Sequence, residues 1–178
     1  MTKRWVAALG ALLMTGCSTQ ASYTVQQVAQ QLPVGARLEI ATPFTYPGGR
    51  TTLWFQGGEI KPSRGLNLWT WHCSLDLHFS ARSEQAREYG SGSFIITGIR
   101  EERLAAVEGW ALRRASLFAR DEDYMLGIVF HLSAPDQPEV RQLRCERRFE
   151  DWSRERALSL ADLRETLGGY LVVAAPGG

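Results

Sequence analysis

The side chains best suited to chemistry in this chain are its three histidines, three cysteines and a dense set of arginines. His72, Asp76 and His78 alternate along one segment, and imidazole with carboxylate is a common metal-binding set. On an extended strand, however, residues four apart stand about 13 Å apart, too far to share an ion. Asp76 and His78 are close enough, but a third ligand must come from elsewhere, and His131 is the only histidine left. These residues therefore read as solvent-facing polar positions, with no metal and no cofactor assigned. Tyr89-Gly90-Ser91-Gly92-Ser93 lacks the Gly-x-Ser-x-Gly order of a nucleophile turn and reads as a loop entering a strand. There is no phosphate-cradling Gly-Lys-Ser/Thr loop and no His-Glu-x-x-His helix. No residue is assigned a catalytic role, although a triad assembled from distant residues would leave no such trace.

Binding residues are easier to nominate. Arg141, Arg144, Arg147, Arg148, Arg154 and Arg156 form a basic stretch, interleaved with Glu139, Glu146, Glu150, Asp151 and Glu155. Such mixing is first of all a salt-bridged surface, and alternatively a patch for an acidic partner or for phosphates. Trp69 and Trp71 read as core, whereas Trp54, Trp110 and Trp152 can be core, rim or contact residues. The candidate binding set is Trp54, Trp110, Arg144 and Arg148.

The first residues address location. Lys3 and Arg4 precede an apolar run from Trp5 to Met14, and ten residues are too few to cross a bilayer, which takes about 20. A basic start, a short apolar core and small residues behind it make a secretory signal. A plainly cleaved signal or a buried helix would be the alternatives. Leu13-Met14-Thr15-Gly16-Cys17 resembles the lipobox of bacterial lipoproteins, with Met14 standing where leucine is usual. The resemblance implies cleavage before Cys17, lipidation of the Cys17 sulfur and a hold on the membrane through two or three acyl chains. Ser18 after the cysteine implies, by the same analogy, an outer-membrane address facing the periplasm. The expected division is a signal peptide over 1–16, a lipidated tether over 17–34 and a β-rich periplasmic domain over 35–178.

Cleavage at Cys17 takes 16 of 178 residues, leaving 162, enough for one domain. It also removes Lys3 and Arg4 and no acid, leaving 18 basic against 19 acidic side chains. A chain this near neutrality is no bulk electrostatic binder of nucleic acid. With Cys17 committed to lipid, Cys73 and Cys145 remain, and in an oxidising compartment a lone pair reads as one disulfide. Closing that loop would remove unfolded-state entropy worth about 4 kcal/mol.

The elements that must position these residues follow from periodicity. Residues 18–32 read as a tether turning into a short helix, with apolar residues at Val25, Val28 and Leu32. Leu38, Ile40, Thr42, Phe44 and Tyr46 share one face of a predicted strand, with Pro47-Gly48-Gly49 as a turn and Arg50–Gln56 as its hairpin partner. Between Leu66 and Phe79 the odd positions include Trp69, Trp71, Cys73, Leu75 and Leu77, which predicts a long strand with Cys73 facing inward. Leu143, Cys145 and Phe149 share the inward face of another, over 139–149. Residues 80–92 read as a loop, Ser93–Ile99 as a strand, and 110–118 with 124–132 as a hairpin. Ser159 caps a helix carrying Asp162, Leu163 and Leu167, Gly168-Gly169 stop it, and Tyr170–Ala174 adds a last strand. The fold expected is a mainly β, antiparallel sandwich or small barrel with one short C-terminal helix.

The function expected is that of an envelope lipoprotein acting as a non-enzymatic binding or assembly module, with an envelope protein as partner. The alternative is a lipocalin-like carrier or sensor of a small apolar ligand. An envelope hydrolase would need a serine or acid pair that the sequence does not display.

Overall fold

A computed structural model describes residues 23–105, 124–150 and 155–174. Cys17, Trp110, Trp152 and the 110–118 segment lie outside them. The described chain is mainly β, a curled antiparallel sheet of eight strands forming a half-barrel, with two short helices.

Helix α1 (Tyr23–Gln31) leads into β1 (Arg37–Ile40) and β2 (Phe44–Tyr46). Val28 and Leu32 are buried, so α1 packs into the core through its apolar side, against β7 (Ser93–Ala105). The alternating face from Leu38 to Tyr46 keeps its inward residues but not its continuity. Pro43 interrupts it, and with no N–H to give a ladder it separates β1 from β2. β1 joins the large sheet, whereas β2 pairs with β6 (Arg87–Tyr89) in a small second sheet. The expected hairpin partner of β2 therefore goes elsewhere. β3 (Thr52–Gln56) pairs with β4 (Glu59–Lys61) and with β5 (His72–Leu77), and the predicted loop over 80–92 contains β6. Gly57 and Gly58 turn β3 into β4 with φ of 58° and 78°, the left-handed pair a two-residue hairpin requires.

β5 is shorter than the alternation from Leu66 to Phe79 predicts, because the register shifts after Asp76 and a single 3₁₀ turn follows at Phe79–Ala81. β7 is longer than predicted and pairs along its length with β8 (Tyr124–Ser133). β8 pairs on its other edge with β9 (Val140–Phe149). Along its described length β8 thus has β7 and β9 as its two partners. The sheet order is β10-β1-β7-β8-β9-β5-β3-β4, where β10 is Leu171–Val173.

Helix α2 (Leu160–Leu167) starts on a complete capping box: the Ser159 hydroxyl accepts from the Asp162 N–H, and the Asp162 carboxylate accepts from the Ser159 N–H. Leu163 and Leu167 are buried, and α2 touches β10 at one end of the sheet order and β3 and β5 near the other. The helix thus spans the gap that a closed barrel would have filled with strand pairing. Between helix and sheet the interior is packed with Tyr46, Phe55, Phe94, Phe130 and aliphatic side chains.

Cys73 and Cys145 sit directly opposite each other on β5 and β9, fully buried, and form the disulfide the sequence predicts. Trp71 is in the core as expected. Trp69 is not: it is 42 % exposed, because it precedes β5 in a loop where its N–H bonds the Asn67 side chain.

Candidate binding groove

The outward face of the sheet is less open to solvent than strand alternation suggests. His72, predicted to face water, is buried, and so is Ser74 on the same face, since neighbouring strands bring long side chains alongside them. The His72 ring lies 5.8 Å from the Trp54 ring, its Nδ1 is 3.1 Å from the Thr70 carbonyl, and its Nε2 is 3.3 Å from Glu146. Next along the sheet, Glu102 bridges Arg144 at 3.3 Å and Arg100, whose Nε reaches His131. Val129 lies between Arg144 and Arg100 in the register and is fully buried on this polar face, consistent with arginine stems lying over it.

Beside this network a groove of about 380 Å³ crosses β3, β5 and β9. Trp54 forms one wall and Phe79, 79 % exposed, another. The floor is Ser74, Asp76, Gln142 and Arg144. Asp76 accepts a 2.9 Å hydrogen bond from the Gln142 amide nitrogen, which turns the amide oxygen away from the carboxylate. That oxygen, Gln142 Oε1, is buried without a hydrogen-bond partner, and so is the Nε–H of Arg144. Buried polar atoms left unpaired cost about 1–3 kcal/mol each, and both of these belong to side chains of the groove lining.

Two flanking networks fix the frame. Glu155 accepts from Arg103 at 2.5 and 2.8 Å, from Tyr124 at 2.6 Å and from Thr24 at 3.3 Å, tying α1 to β7 and β8. Burial pushes the Glu155 carboxyl up, but these donors outweigh it and hold it below the usual carboxylate range. Glu139, just before β9, accepts from Tyr89 at 2.8 Å and pairs with Arg87 at 3.3 Å, tying the small sheet to the large one. Burial first, and the Glu139 carboxylate second, push the Tyr89 phenol up to about 12.

Of the nominated binding residues, Trp54 and Arg144 meet in the groove. Arg148 lies elsewhere, with its guanidinium 4.8 Å from the Trp69 ring centroid and its N–H bonded to the Leu68 carbonyl. Asp76 lines the groove with no histidine beside it there, and His78 is exposed beyond the end of β5. Among the described residues no group of three histidine, cysteine or acidic side chains is placed to hold a metal, and no helix is long and apolar enough to cross a membrane. Phe79, Ser74 and Gln142 were not nominated from sequence. A strict alternation counts Phe79 as inward, but β5 ends at Leu77 and Phe79 opens the 3₁₀ turn that follows, which leaves it exposed.

No family model, curated protein or solved structure matches this chain.

Proposed function

We propose that this chain is a lipid-anchored envelope protein whose folded domain is a non-enzymatic binding module, engaging an envelope protein partner through the groove between Trp54 and Phe79. The observation that carries the reading is the pair of unpartnered buried atoms, Gln142 Oε1 and Arg144 Nε, on the floor of a cleft with aromatic walls. A peptide segment supplies what they lack: a backbone N–H for the amide oxygen, a carbonyl for the guanidinium and an apolar side chain for the rings. The anchoring half of the reading rests on the lipobox resemblance at Leu13-Met14-Thr15-Gly16-Cys17. The carrier alternative has less behind it, since Tyr46, Phe55, Phe94 and Phe130 occupy the middle of the half-barrel.

The test places a photocrosslinking amino acid at Phe79 in the full-length protein in its native envelope. A discrete protein adduct is expected, reduced at least tenfold by Arg144→Gln or Trp54→Ala, while crosslinking unaffected by either substitution overturns the groove assignment. In parallel, Cys17→Ser should move the protein from the membrane to the soluble fraction. Retention in the membrane removes the anchor.

A further inference from the structure

On the opposite face of the sheet, at the end of the half-barrel where α2 meets the β3–β4 turn, lies a second cavity of about 190 Å³. Trp71 and Arg147 both line it. Arg147 is on β9 and Trp71 immediately precedes β5, each one position beyond the His72–Glu146 pair, which puts both on the side of the buried Cys73–Cys145 pair. Trp71 is 5 % exposed, and its indole N–H is buried with no acceptor. The Arg147 Nε–H is buried and unpartnered as well.

The other charges of the cavity are already committed. Arg156 donates two hydrogen bonds, 2.6 and 2.7 Å, to Asp162, so the Asp162 oxygens are occupied. Glu165 also lies on the lining, and its charge acts on Arg156. What Arg147 does have is the ring of Phe149, 5.0 Å from its guanidinium carbon. Burial, and then the like charge of Arg156, pull the Arg147 guanidinium below its ordinary value, with the Asp162 carboxylate opposing them in part.

We infer that this cavity is a carboxylate-binding site, in which Arg147 and the Trp71 indole N–H hold one carboxylate between β5, β9 and α2. One oxygen accepts from the indole and the guanidinium holds the other, which satisfies both orphaned donors and compensates the charge. The Glu165 carboxylate on the lining disfavours a dianion such as phosphate, so a singly charged group fits best. The carboxylate belongs either to a small free acid or to the C-terminus of a peptide. The two sources present the same chemistry to the cavity.

The experiment follows the Trp71 indole N–H resonance in the ¹⁵N-labelled full chain, identified by its loss in Trp71→Phe. Acetate, a tripeptide with a free C-terminus and the same tripeptide amidated are titrated at constant ionic strength. A saturable shift with acetate or the free-acid tripeptide is expected, with no response to the amide. Arg147→Gln should weaken it at least tenfold, and Arg147→Lys, which keeps the charge but loses the fork, by less. A peptide terminus as natural ligand predicts tighter binding of the tripeptide than of acetate, and a small free acid the reverse. Absence of a saturable shift with either, or the same affinity in Arg147→Gln and Arg147→Lys as in the parent, overturns the site. None of these readouts involves the Trp54 groove.

Discussion

The Asp162 carboxylate shows how much one side chain can carry in this fold. It closes the capping box of α2 with Ser159 and takes a bidentate hydrogen bond from Arg156. Burial raises its proton affinity, but the bonds from Arg156 and Ser159 more than offset this and leave it below the ordinary aspartate range. A carboxyl depressed in the folded state stabilises the fold above its unfolded value of about 3.9, and that contribution is lost as pH falls through the lowered folded value. Glu155 has the same sign. Asp162→Asn should therefore cost about 1 kcal/mol at neutral pH, the usual loss for a broken cap. It should also flatten the decline of stability between about pH 5 and pH 2. Urea unfolding of both proteins across that range checks it, and an unchanged acid slope would assign the acid sensitivity to other groups.

At the scale of elements, α2 and the β3–β4 hairpin approach each other backbone to backbone. Gly168, which ends the helix with φ of 59°, lies so close to the hairpin that a Cβ there would meet the Gly58 Cα at 2.6 Å and its carbonyl oxygen at 2.9 Å. Gly168→Ala combines backbone strain with a clash against main chain and should destabilise by about 2 kcal/mol or more. Gly90→Ala, where a Cβ meets nothing within 4 Å, should change stability by less than about 0.5 kcal/mol. Thermal unfolding of the two variants makes the comparison. The elements also show what sequence conveys. The capping box at Ser159, the stop at Gly168 and the inward faces of Cys73 and Cys145 were legible because each is a local pattern. Strand partners were not. Whether β3 returns to β2 or crosses to β5 depends on Pro43 and on which edges are free, and neither leaves a mark on hydrophobic alternation. The groove was half legible for the same reason: Trp54 and Arg144 stand out by type, whereas Ser74, Gln142 and Phe79 acquire their roles only from strand register and from where β5 ends.

Over the whole molecule, the sheet depends on one covalent bond and two protected edges. β4 ends the sheet with Glu59 and Lys61 followed by Pro62, and β10 ends it with only Leu171–Val173, so neither edge invites pairing with another chain. The Cys73–Cys145 bond joins the two strands that carry the groove floor. Replacing both cysteines with alanine should lower unfolding stability by about 2–5 kcal/mol in denaturant. The intact protein should yield no alkylatable thiol at either position without denaturant; labelling there would mean the bond is not formed in solution. The same bond has a mechanical meaning. In the anchored, partner-bound state proposed above the chain would be loaded in tension, and the disulfide takes the 72 positions it encloses out of the extensible length. At about 3.5 Å per residue, that withholds about 250 Å of contour from any pull applied outside the loop. The length of chain that a pull can release once the domain unfolds is thus set by the oxidation state of one sulfur pair.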